Sequence, residues 1–538
     1  MRKSKLYNLL TFCMAGGLAI SCVKKIDYGS DPYGQSAQIL DLKFADTAPY
    51  PSQVRPGEEV TYKIYGLSTV NKDDITFFVN NNPSTIMGTT DSTLTVRLSE
   101  HVSTGSARLV VNGQTFAGPL TPIIGKVAID PVFNAGTGAL GMISTIKRLS
   151  NGQFFLGGSF IDYNGNSALA DINGIARITS TGEYVPMTGF GEGVEGGSVN
   201  SILELPDGKI FIAGNYASYD KDETVRSASV LNVSGSLNKE SVEILNLTDD
   251  PEKSTLLVPT FNGGVSGGGV VKAFYRDNKI TLVGGFNQYT SNFYPRSTYN
   301  QILRDFFQAR NIVRVNLDGS LDSTFLVNHN VFPKRGSFGV NGSVYDATMD
   351  ADGTVTMVGS FTRYNNTVAA NRILRIKANG NVDDVFNAGA GTDNAIFKIV
   401  PTMNSKYYLV GSFLNYKGQM VNNIVLVNAD GSIDPSFTAK SFTGGSPNYL
   451  AVLDNGLLLV SGSFNRYDNI IREGLLILNP DGSLASGYNN TGKFVGAVQD
   501  SYVGVNSIGQ RTITLVGFIS SFNGRSDLGN IVRLTIQD

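Results

Sequence analysis

The sequence predicts an all-β protein in which a small β-sandwich is followed by a seven-bladed β-propeller. Three observations predict it. The first is an anchor that recurs along the chain, as in Met357-Val358-Gly359-Ser360-Phe361-Thr362-Arg363-Tyr364: two apolar residues, Gly, a small residue, an aromatic, two variable residues and a second aromatic. Its central position falls at 160, 216, 286, 361, 413, 464 and, in degenerate form, 519. Self-similarity of this kind marks stacked supersecondary units. The second observation is turn chemistry at a fixed place before and after each anchor. The third is a short tail that the last repeat lacks and that stands instead before the first.

Within a repeat, a turn such as Asp352-Gly353 or Asn455-Gly456 precedes an apolar run, Val355 to Val358 or Leu457 to Val460. Asp-Gly and Asn-Gly supply the positive backbone angles of tight hairpins, so each run reads as a buried strand entered through a hairpin. Downstream lies a further strand, Ile312-Val313-Arg314-Val315 or Ile373-Leu374-Arg375-Ile376. A second turn follows, Asp318-Gly319, Asn379-Gly380 or Asp430-Gly431, and then a tail such as Leu321-Asp322-Ser323-Thr324-Phe325. Three or four strands in about fifty to sixty residues, without helical periodicity, is the size of a propeller blade.

The final repeat stops at Ile531-Val532-Arg533-Leu534-Thr535-Ile536 and lacks the tail seen at Asp434-Pro435-Ser436-Phe437. That tail stands before the first anchor, as Asp130-Pro131-Val132-Phe133. Segments 127–133 and 531–536 are therefore expected to pair and close a ring over 125–538, leaving no open sheet edge.

Toward the N-terminus, Arg2, Lys3 and Lys5 precede a largely apolar stretch from Leu6 to Ile20, the pattern of a cleaved export signal over 1–21. It ends Leu18-Ala19-Ile20-Ser21-Cys22, which resembles a bacterial lipobox although Ala19 stands where Leu is commoner. The resemblance implies lipidation of Cys22, with the membrane reached through the lipid anchor only. Cys13 is the one other cysteine and would be removed with the signal, so the mature chain would carry no disulfide. Residues 22–36 are polar, with Gly29, Pro32 and Gly34, and read as a tether.

From 37 to 124 the chain is dense in short alternating strands: Val60 to Tyr65, Thr76 to Asn80, Thr93 to Leu98 and Gly105 to Gly113. Regular turns between them argue a β-sandwich. The run Pro56-Gly57-Glu58-Glu59-Val60-Thr61 and the hairpin ending Val110-Val111-Asn112-Gly113 resemble an IPT/TIG domain, which implies an N-terminal immunoglobulin-like β-sandwich acting as a spacer. The repeats, through Asp318 to Phe325, Asp430 to Phe437 and the anchors, resemble a bacterial propeller repeat family of uncharacterised function, the delta-60 type. Lipobox, IPT/TIG-like module and repeats together look like surface lipoproteins of glycan-harvesting Gram-negative bacteria. The resemblance implies an outer-membrane, lipid-anchored, exterior-facing protein that captures extracellular glycan or another ligand without catalysis. The alternatives are a structural platform for a partner protein of an outer-membrane uptake complex and, third, a polysaccharide lyase or hydrolase.

Candidate chemistry is sparse. The formal charge of −2 from 43 basic and 45 acidic residues gives no electrostatic reason to expect nucleic acid. Turns such as Asp318-Gly319-Ser320 lack the acidic residue a calcium loop needs at its twelfth position and read as side-chain-capped turns. His101 and His329 are the only histidines, and neither HExxH, CxxC nor a Gly-x-Ser-x-Gly elbow is present. No metal or other cofactor is expected. The anchor aromatics, being regular, read as core between blades. The irregularity is the third repeat, with insertions at about 238–269, 290–310 and 326–340. Long loops on a rigid scaffold carry binding, so Tyr294, Arg296, Tyr299, Arg304 and Arg335 are the candidate ligand contacts. Tyr299 to Arg310 is expected to form a short helix, and the third insertion adds His329, Phe332, Pro333, Lys334 and Phe338.

Overall fold

The computed structural model describes residues 40–168, 172–331, 335–387, 389 and 391–538. The expected signal segment, the tether and Cys22 lie outside the described residues, as do Phe332, Pro333 and Lys334. The chain divides into a unit Met1–Asp41, of which residues 40 and 41 are described, and a unit Leu42–Asp538. Among the described residues the regular elements are strands and short 3-10 helices, and no helix is long and apolar enough to cross a membrane.

The N-terminal part of the larger unit is one seven-stranded sheet. Its spatial order is Lys43–Phe44, Glu59–Tyr65, Thr93–Arg97, Asn82–Thr89, Ile75–Val79, Gly105–Val111 and Gln114–Thr121. The fourth of these turns the corner: Asn82 to Ser84 pair with one neighbour, Thr85 to Thr89 with the other, and a bulge lies between Ile86 and Gly88. The sheet curls until its last strand passes over the first, where a Cβ on Gly118 would lie 2.7 Å from the Phe44 ring. Phe44, Tyr62 and Phe77 fill the interior, with Tyr62 and Phe77 centroids 4.7 Å apart. Burial pushes the Tyr62 phenol up to about 12, and its hydroxyl shares a hydrogen bond with Thr121.

From residue 127 onward the described residues form nine sheets of three or four antiparallel strands and four two-stranded ones, and seven of the larger sheets carry the anchor glycines. Their first strands are Ile143–Arg148, Ser198–Glu204, Val270–Arg276, Val344–Met349, Ile396–Pro401, Pro447–Val452 and Phe494–Val505. Each of these inner strands contacts the next, and the seventh contacts the first, so the order of contacts is cyclic. In the seventh sheet Ile531–Ile536 pairs with Val127–Ile129, Leu534 opposite Ile129 and Ile536 opposite Val127.

The anchor residues explain themselves in this setting. Phe160, Tyr163, Phe361, Tyr364, Phe413 and Tyr416 are all at most 2% exposed, in the cores between sheets. The second aromatic also ties down the following turn. Tyr163, Tyr219, Tyr289, Tyr416 and Tyr467 each donate the hydroxyl to the carbonyl of the turn glycine, Gly182, Gly235, Gly319, Gly431 and Gly482. In those turns the Asp318 and Asp430 carboxylates accept the amides of Ser320 and Ser432.

The tail has its own task. Arg314, Arg375 and Arg533 stack over Phe325, Phe386 and Phe133, and each donates to a carbonyl of a neighbouring repeat, Ala378, Ala429 and Ser180. Arg314 pairs with Asp322 and Arg533 with Asp130, both at 2.7 Å. Burial alone would raise the Asp322 carboxyl, but hydrogen bonds from Thr324 and Arg314 outweigh it and hold it far below the usual carboxylate range.

One expectation fails. Tyr299 to Arg310 is not a helix: Arg304–Gln308 is a strand paired with Gln288–Asn292, placing Phe307 opposite the buried anchor Tyr289. An open sheet edge beside the anchor offers this segment a full ladder of backbone bonds, and two consecutive phenylalanines suit a strand better than a short isolated helix.

Candidate functional site

The inner strands share a second feature. In all seven sheets the inner strand carries one extra residue opposite the anchor glycine: Ser144, Asn200, Val271, Tyr345, Phe397, Asn448 and Gln499. A bulge leaves the extra residue out of the ladder and re-aims its side chain. It also drives the inner strand's backbone against its partner. A Cβ at Gly158, Gly214, Gly284, Gly359, Gly411, Gly462 or Gly517 would lie 1.9–2.3 Å from an inner-strand carbonyl oxygen. That contact is why the anchor holds glycine at this position.

The seven bulged side chains surround one cavity of about 600 Å³, within the range that encloses a small ligand. Its wall has two kinds of surface. Tyr345 and Phe397 form an aromatic corner, centroids 6.0 Å apart and tilted by 50°. Around them stand the amides of Asn200, Asn448 and Gln499 and the hydroxyl of Ser144. Ser144 Oγ and Asn448 Oδ1 have no hydrogen-bond partner among the described residues. Buried polar atoms in native proteins are nearly always paired, so these two mark unused capacity in the wall.

One residue further along each inner strand is a second tier. There Ser201, Asp346 and Asp500 latch adjacent sheets: they accept the backbone amides of Ala273, Ile399 and Ile146 at 3.0, 3.2 and 3.1 Å. Tyr449 bridges to Ser501 at 2.7 Å. Burial, reinforced by the Asp500 charge, holds its phenol well above the ordinary value. Lys272, Asp346, Lys398 and Tyr449 also line a second space that adjoins the first between the inner strands. The two carboxylates of these walls, Asp346 and Asp500, are both occupied by backbone amides.

The residues singled out by sequence lie elsewhere. Tyr294 is 7% exposed and packs with Ile244 and Val258 in a small core of the insertions, so it is not available to stack on a ligand. It is corrected from contact to core: the hairpin Lys239–Glu243 and Thr255–Pro259 covers it. Arg296 lies over the Phe293 ring at 5.9 Å, Tyr299 is half-exposed and Arg304 is exposed on its strand. None of these four lines the central cavity. Arg335 lies over Phe338 at 4.9 Å in a separate surface recess with His329, whose Nε2 is 2.9 Å from the Ser323 carbonyl.

Sequence comparison matches residues 305–325, 351–386 and 404–437 to a family described as "Domain of unknown function (DUF5122) beta-propeller", and residues 18–119 to "Domain of unknown function (DUF5008)". The bud site selection protein RAX2 of Saccharomyces cerevisiae is 29% identical over 125 residues, 22% of this chain. The match spans 10% of the yeast protein's length. Among solved structures, the WD40 β-propeller domain of Doa1 aligns with TM-score 0.38 and 12% identity, over 77% of this chain and 98% of that one. An auxiliary nutrient binding protein from Bacteroides thetaiotaomicron aligns with TM-score 0.33 and 11% identity, over 92% and 97%. The chain is thus an all-β protein in which an N-terminal domain of unknown function precedes a region that matches a β-propeller domain of unknown function.

Proposed function

We propose that the seven sheets form a seven-bladed β-propeller behind an immunoglobulin-like sandwich, and that the propeller captures extracellular glycan in the cavity ringed by the bulged residues. One observation carries this reading: a single wall offers an aromatic corner beside amides and a hydroxyl with unused hydrogen-bonding capacity. A sugar presents a C–H face to aromatic rings and hydroxyls to amides, and an apolar wall with few placed polar groups is how such ligands are oriented. The engagement of Asp346 and Asp500 by backbone amides favours binding over acid–base chemistry, which needs carboxyl groups free to exchange protons. A glycan array probed with the soluble chain tests the reading. Retention of one glycan class is the expected result, and a blank array across plant, algal and host glycans sinks it.

The protein would work from the outer face of the outer membrane, held by acyl chains on Cys22. Metabolic labelling with a palmitate analogue should be lost in Cys22→Ser; a variant still labelled and still sedimenting with membranes refutes the anchor. A second reading, docking to a partner protein, is favoured by the third repeat's insertions, where Leu247, Leu257 and Phe306 are 74%, 69% and 64% exposed.

A further inference from the structure

The charges around the cavity narrow the class of glycan. Five charged side chains line the cavity and the space adjoining it: Lys147, Lys272, Lys398, Asp346 and Asp500. Both acids are engaged. Asp500 takes the Thr145 hydroxyl at 2.9 Å and the Ile146 amide through Oδ2, and the Ser501 amide through Oδ1. Asp346 takes the Ile399 amide and stands 3.5 Å from the Lys398 ammonium, which also faces the Tyr449 ring at 5.1 Å.

Lys272 is different. It is half-buried on the inner strand, it lines both spaces, and its ammonium makes no hydrogen bond, ion pair or ring contact with the described residues. Lys147, which lines the adjoining space, likewise has no acidic partner there. The wall therefore presents an uncompensated positive charge in a concavity. Low-dielectric walls focus such a field, and a charge-assisted hydrogen bond to an anion is about twice as strong as a neutral one.

We infer that the glycan is acidic, and that Lys272 takes a singly charged substituent, a carboxylate or a sulfate ester, on the sugar bound at Tyr345 and Phe397. The inference rests on the glycan reading above and adds the charge. A lone ammonium is a point charge without the planar fork of Arg, so it selects for charge rather than for the geometry of the anion.

Matched pairs test it by titration calorimetry: oligogalacturonate against its methyl ester, and a sulfated oligosaccharide against its unsulfated parent. Each is measured with the full mature chain, with Lys272→Met and with Lys272→Arg. The acidic member of one pair should bind about tenfold tighter than its neutral partner. That preference should vanish in Lys272→Met, persist in Lys272→Arg, and shrink in the unmodified protein as salt rises. The pair that responds identifies the anion. Equal binding of acidic and neutral members, or a preference that survives Lys272→Met, overturns the inference and leaves the glycan reading standing. If no member of either pair binds and the glycan array is blank as well, the glycan reading fails and the charge inference with it. The salt series and Lys272→Arg keep the test decisive should Lys272→Met fold poorly.

Discussion

Across every inner strand, two positions face each other under opposite constraints. On the anchor strand the residue is glycine all seven times, because the bulge brings a carbonyl within 1.9–2.3 Å of any Cβ. On the inner strand the bulged residue is a hydroxyl, an amide, an aliphatic or an aromatic, according to the repeat. The bulge recurs in every one of these sheets; what differs between the two positions is what a side chain there meets. Recurrence within one chain here marks what the fold requires, and variation on a fixed lattice marks what the fold leaves free for recognition.

The comparison breaks most visibly at an anchor. Phe361 is 1% exposed among Val283, Ile312 and Leu374, and Phe361→Ala should cost about 3–5 kcal/mol, read as a lowered denaturation midpoint. Melting unchanged by this substitution would remove the structural meaning of recurrence. A smaller effect separates two tyrosines of the insertions. Tyr294→Ala should destabilise by roughly 1–3 kcal/mol, as loss of a buried ring from a satellite core, while Tyr299→Ala, half-exposed, should stay within about 0.5 kcal/mol. Equal effects of the two would undo the reassignment of Tyr294 to core. The smallest change in stability is expected at the bulge itself. Tyr345 is 43% exposed, and Tyr345→Ala should melt within about 0.5 kcal/mol of the parent while glycan retention falls about tenfold. Retained binding would move recognition away from this wall.

Much of the architecture was legible in the residues. The anchors and the hairpin turns are local signals, readable one repeat at a time. The cavity wall was not legible, for a physical reason. A bulge is a relation between two strands, invisible in either alone. A faint signal existed: Ser144, Asn200, Tyr345, Phe397 and Asn448 each lie 14 residues before their anchor glycine. The insertions drew attention instead because they break the repeat and are rich in aromatics. Yet sequence cannot distinguish an aromatic that covers a core, as Tyr294 does, from one that meets solvent, as Tyr299 does. The helix expected at Tyr299 to Arg310 failed similarly, since the strand edge that captures Arg304–Gln308 belongs to residues 288–292.

The ion pair of Arg533 with Asp130 joins residues 403 apart in the chain. During synthesis Asp130 emerges 403 residues before Arg533, and the strand Val127–Ile129 long before its partner Ile531–Ile536. Domains generally fold from the N-terminus as they are made, and contacts distant in sequence form slowly. Through the interval between the two strands, Val127–Ile129 lacks the strand it pairs with. The pairing of Ile531–Ile536 with Val127–Ile129 is therefore among the latest of the contacts to form, and until it does both strands keep an unpaired edge. Any chain interrupted between Asp130 and Arg533 therefore keeps the edge of Val127–Ile129 bare, a mark by which an unfinished molecule differs from a finished one.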